Sequence, residues 1–119
     1  MSLGVAAADY AMPYDETLAG KIRKALGRAP FVEKRLFGGV AFLLNGNICC
    51  GAWKEFLILR LGTDAARQVL SEEYARPFDI TKRPMRGWAM VEPAGWQNDA
   101  SLRRWVHWAE EFTSGLPPK

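Results

Sequence analysis

Apolar and polar positions are most regularly ordered between Arg35 and Leu61, where short apolar runs are separated by Gly38-Gly39, Asn45-Gly46 and Lys54-Glu55. Gly-Gly and Asn-Gly accept the positive φ angles of two-residue hairpin turns, and Lys-Glu sits between two good strand candidates. The pattern predicts an antiparallel four-strand meander. Two-residue loops set register, so Phe37 is expected opposite Val40, Leu44 opposite Asn47 and Trp53 opposite Phe56. That register places Leu36, Ala41, Leu43, Ile48, Cys50 and Leu57 on a core face. The other face receives Arg35, Phe37, Phe42, Cys49, Ile58 and Arg60, a mixture of aromatic and basic side chains. One cross-strand row on it runs Arg35, Phe42, Cys49, Arg60, with its outer arginines roughly 14 Å apart at three strand spacings.

The flanking segments predict helices and one more strand. Asp15 caps a helix that places Leu18, Ile22, Ala25 and Leu26 on one face and ends at Gly27, with Lys21, Arg23 and Lys24 on its outer face. Pro30 stops it. After the meander, Thr63 and Asp64 open a short helix carrying Ala66, Val69 and Leu70, and Trp88–Glu92 reads as a fifth strand. Asn98 or Asp99 caps a final helix with Leu102, Trp105, Val106, Ala109 and Phe112 on its apolar face. Residues 1–13 show no sustained period and are expected to be a loosely held arm before a single domain over 14–119. The order α-β-β-β-β-α-β-α is not a βαβ alternation. It predicts an α+β fold, a mainly antiparallel sheet with three helices gathered on one face.

Composition narrows the function classes. The 119 residues suffice for one domain, and 49% hydrophobic with 24% charged residues is ordinary for a globular chain. A net charge of +3 falls short of the dense basic stripe of a dedicated DNA binder. The most basic stretch is the loop holding Arg76, Lys82, Arg83 and Arg86 against Asp79, the candidate for polyanion contacts. No run reaches the roughly 18 apolar residues of a membrane span, and no signal peptide is evident. The only cysteines, Cys49 and Cys50, are adjacent and would point to opposite faces of a strand, which excludes an ordinary disulfide and suggests a reducing, cytoplasmic setting.

No motif for catalysis, a cofactor or a metal is found. Cys49 with His107 as base lacks an orienting acid, and two cysteines with one histidine fall short of a zinc ligand set. Gly38-Gly39 lacks the lysine and helix of a phosphate loop. Arg60, set between Leu59 and Leu61, is either an ion-pair partner of Glu33, Asp79 or a helix carboxylate, or an anchor for an anion or partner protein.

Several motifs in order, Tyr14-Asp15-Glu16, Glu33-Lys34-Arg35-Leu36-Phe37-Gly38-Gly39, Gly46-Asn47, Leu59-Arg60-Leu61, Arg83-Pro84-Met85-Arg86-Gly87-Trp88 and Leu116-Pro117-Pro118-Lys119, resemble the N-terminal domain of the TfoX bacterial competence regulators. The resemblance implies a fold likened to secretion chaperones. For full-length relatives it implies a role in switching on competence genes alongside the cyclic-AMP receptor protein. It supplies no catalytic residue, and the chain matches only the first of the two domains of those regulators. The expectation is a regulatory, non-catalytic protein-interaction domain whose partners are a second copy, in a homodimer through the mixed face, and a protein of the transcription machinery. The alternative is a nucleic-acid module using the basic loop and the aromatic face.

Overall fold

The computed structural model describes residues 14–36, 38–79 and 85–119. Helix α1 (Glu16–Leu26) leads into strands β1 (Phe31–Leu36), β2 (Gly39–Leu44), β3 (Asn47–Trp53) and β4 (Phe56–Arg60). Helix α2 (Thr63–Val69), strands β5 (Ala75–Pro77) and β6 (Trp88–Val91), and helices α3 (Pro93–Trp96) and α4 (Asp99–Ser114) follow. The expected α+β class holds. The strands form one antiparallel sheet in the order β1-β2-β3-β4-β6-β5, so the expected fifth strand inserts between β4 and an additional short edge strand at the start of the basic loop.

The helices begin and end where local chemistry directs. The Asp15 carboxylate accepts a hydrogen bond from the Leu18 amide at 3.0 Å, and α1 stops at Gly27, whose φ is 56°. The Asn98 side chain accepts from the amides of Ala100 and Ser101, at 2.8 and 3.1 Å, at the start of α4. All four helices contribute buried residues to one core against one sheet face, among them Leu18 and Ile22 of α1, Val69 of α2, Trp96 of α3 and Trp105 of α4. Two indoles are tied by their N–H groups, Trp96 to the Glu55 carbonyl at 2.9 Å and Trp105 to the Gly95 carbonyl at 3.0 Å. On α4 the buried edge passes through Thr113 while Phe112 is only partly covered, the reverse of the expected emphasis.

The sheet register departs from the expected one at two places. Leu36 pairs with Gly39 and Arg35 with Val40, so the first connection falls one position earlier than Gly38-Gly39. This moves partners by two residues and leaves the faces unchanged. The second departure has larger consequences. Leu43 pairs with Ile48 but Phe42 with Cys50, leaving Cys49 as an extra residue in a β-bulge. A one-residue slip sends every later side chain to the opposite face. Both cysteines are fully buried, and on the helix side of the sheet Val40, Phe42 and Leu44 join Ala52, Leu57 and Leu59. Leu36, Ala41, Leu43 and Ile48, expected in the core, instead share the open side with Trp53, Ile58 and Arg60. Beyond the bulge the expected pairs Trp53–Phe56 and Ala52–Leu57 are present.

Candidate interaction groove on the open sheet face

The open face has a depression because its central row is short of side-chain bulk at Ala41 and Gly51. Ala41, Gly51, Ile58 and Met90 are successive partners across β2, β3, β4 and β6. At Gly51 the strands approach so closely that an added Cβ would lie 2.4 Å from the Val40 carbonyl oxygen. Glycine in a strand interior marks such a close approach. Gly39, on the same side, would place a Cβ 2.3 Å from the Ala52 carbonyl oxygen. Around this floor stand Leu36, Ile48, Trp53, Phe78, Met85 and Trp88, enclosing a cavity of about 120 Å³ with no charged residue in its lining. Ile58, Phe78 and Met90 form a second, smaller buried cluster, against which Trp53, Phe56 and Trp88 pack.

Cations sit on the aromatic walls. The Arg60 guanidinium lies 5.6 Å from the Trp88 ring centroid, the Lys54 ammonium 4.7 Å from that of Trp53, and the Arg76 guanidinium 5.5 Å from that of Phe56. Arg76 is also paired with Glu92 at 3.4 Å, whereas Arg60 and Lys54 make no ion pair among the described residues. Among the described residues Arg60 thus pairs with none of the carboxylates expected for it, and Glu33 is held by Arg23 at 2.6 Å on the helix side. Trp53 stacks on Phe56 at 6.2 Å, and Phe78 tilts against Trp88 at 5.6 Å, so the walls are braced pairs.

The single row Arg35, Phe42, Cys49, Arg60 does not form, because the earlier first turn sets Arg35 opposite Val40 and the bulge sets Phe42 opposite Cys50. Arg35 lies over the Tyr14 ring at 5.6 Å on the helix side, and Phe42 is fully buried there with its ring edge-on to Phe31. Cys49 is buried beside Cys50. Only Ile58 and Arg60 of the expected interaction residues lie on the open face, while Phe37 falls outside the described residues. Of the candidate polyanion contacts, Arg76 belongs to β5 and Arg86 is exposed; Lys82 and Arg83 lie outside the described residues.

Cys49 and His107 are on opposite sides of α4. Cys49 meets Cys50 and Thr113 under the buried face of the helix, while His107 is exposed on its outer face with Arg104, Trp108 and Glu111. The hydrogen bond between the two sulfurs and complete burial push the Cys50 thiol well above its ordinary range. Among the described residues no three of His, Cys, Asp and Glu gather as a metal site, and no helix is long and apolar enough to cross a membrane.

The sequence profile of the TfoX N-terminal domain matches residues 24–113. The chain belongs to the TfoX N-terminal domain family. No curated protein and no solved structure matches it. The match runs from the last turn of α1 to the end of α4, narrower than the span Tyr14–Lys119 over which the motifs suggested the resemblance. Every residue that lines the groove lies inside it. The TfoX N-terminal domain of this chain therefore carries its open-face groove within the matched part of the fold. Sequence reasoning had missed Trp88, Phe78 and Met85 as groove walls. The signal that could have raised the question was Gly51, unpartnered by any turn motif in the middle of an apolar strand.

Proposed function

We propose that this chain is a regulatory, non-catalytic domain that acts by seating another protein in the open-face groove, as part of the control of transcription that membership of its family suggests. The observation that carries the reading is the apolar, aromatic-walled cavity of about 120 Å³. Pockets for drug-sized ligands run from about 300 Å³, and an apolar cavity near 150 Å³ holds a single benzene ring. The groove is therefore of a size to take one large side chain of a partner, the usual anchor of a protein contact. The cations over Trp53, Phe56 and Trp88 occupy ring faces that base stacking would need, which favours a protein over a nucleic acid as occupant.

The test is photocrosslinking in the native host with Met85→p-benzoylphenylalanine, since Met85 lines the groove and is 38% exposed. The expected result is a discrete protein adduct that resists nuclease and disappears when Ala41→Phe fills the groove, with Ile48→Arg as the second variant should the larger ring unfold the sheet. An adduct that depends on nucleic acid, or one unaffected by either variant, overturns the reading.

A further inference from the structure

We infer that the groove's occupant is an acidic protein segment that presents one large apolar side chain between carboxylates. This rests on the proposed use of the groove and adds the chemistry of what enters it. The cavity accounts for the apolar anchor, as its lining holds no charged group and its volume of about 120 Å³ accommodates one ring or branched side chain.

The rim accounts for the acid. Arg60 and Lys54 are held against the walls by Trp88 and Trp53, each keeping N–H donors for a carboxylate. Lys34 is exposed, and strand alternation puts it on the same side as Leu36, which lines the cavity. Arg76 and Arg86 flank the walls formed by Phe78, Met85 and Trp88. Against these cations the nearby carboxylates are Glu55, Asp79 and Glu92, and Glu92 is taken up by Arg76. Five cations against three carboxylates leave the named residues around the cavity net positive. Complementary charge steers association and suppresses wrong partners, so a basic segment, or a second copy apposing its own basic face, is disfavoured.

The experiment pans a displayed library of short random peptides on the immobilised full chain, counter-selecting on the Ala41→Phe protein. Enriched sequences are expected to be acidic around one large apolar residue. Their affinity should fall with added salt, and roughly tenfold on Lys34→Glu combined with Arg60→Glu, with Lys34→Glu alone as the variant that leaves the Trp88 contact in place. Enriched peptides that are neutral or basic, or whose binding ignores both charge reversals, overturn the acidic partner while leaving the groove as a protein site. Failure to enrich any peptide that binds the native chain in preference to the Ala41→Phe protein overturns the proposed function and this inference together. Loss of binding as the chain self-associates at higher concentration identifies a second copy as the occupant and also overturns it.

Discussion

The Arg60 guanidinium lies over the ring of Trp88, 5.6 Å from its centroid, and the two residues are direct register partners on β4 and β6. A charge embedded between Leu59 and Leu61 is thereby accommodated without an ion pair among the described residues, because the indole face supplies the attraction a carboxylate would otherwise give. Arg60→Ala is expected to lower stability by about 0.5–1 kcal/mol, the range for a partly exposed contact of this kind. Arg60→Lys should retain part of it. Urea denaturation midpoints at constant slope are the measurement, and identical midpoints for Arg60→Ala and the native chain would show the contact to be energetically idle.

Phe42 gives a sharper test of the register. On the expected face it would have been an exposed contact residue, and a charge there would have been tolerated; in the structure it is fully buried against Phe31 and the helices. Phe42→Asp should therefore prevent folding, since an unpaired carboxylate in an apolar core is strongly unfavourable. Phe42→Ala should cost about 3–5 kcal/mol. Circular dichroism and thermal melts decide: a folded, monomeric Phe42→Asp protein would restore the unbulged register.

Much of the fold was legible because its punctuation is local. Asp15 and Asn98 announce their helices by capping chemistry that operates within three residues, and Asn45-Gly46 and Lys54-Glu55 mark turns where the structure has them. The bulge was hidden for a physical reason. Cys49 and Cys50 are small and apolar whichever way they point, so alternation carries no penalty for counting straight through them. That miscount inverted the faces of β1, β2 and the start of β3, and with them the candidate site. The groove was less legible still, since Phe78 and Met85 reach it from irregular chain whose side chains follow no period.

Gly51 and Gly20 should respond to the same substitution with opposite sign. At Gly51 an added methyl would meet the Val40 carbonyl oxygen at 2.4 Å and the Ala41 Cα at 3.3 Å, both backbone atoms of a paired strand that must move to admit it. Gly51→Ala is expected to cost about 1–3 kcal/mol. Gly20 lies in the interior of α1 with nothing within 4 Å of its Cβ position. Gly20→Ala is expected to stabilise by about 1 kcal/mol through helix propensity alone. Denaturant titrations of the two variants, compared with the native chain, check both signs.

Lys21 of α1 and Asp99 at the start of α4 tie the two core helices at the surface, with the Lys21 ammonium donating to the Asp99 carboxylate. The hydrogen bond from Lys21, reinforced by its charge, holds Asp99 below its ordinary carboxylate range. A carboxylate whose folded pKa is depressed contributes stability that is complete above its unfolded value, about 3.9, and is lost as pH falls through the folded one. The stability difference between the native chain and Asp99→Asn should then be level from neutral pH down to about 4 and shrink below it. Because both side chains reach solvent, added salt should narrow the difference at every pH. Lys21→Met should remove most of the acid dependence that Asp99 carries, leaving the part due to the α4 dipole. Urea midpoints collected across the acid range for the native chain, each single variant and the double variant provide the cycle. A difference that stays constant below pH 4 would show that the ionisation of Asp99 carries no stability, and one that Lys21→Met leaves untouched would show that Asp99 is held by the helix terminus and not by α1.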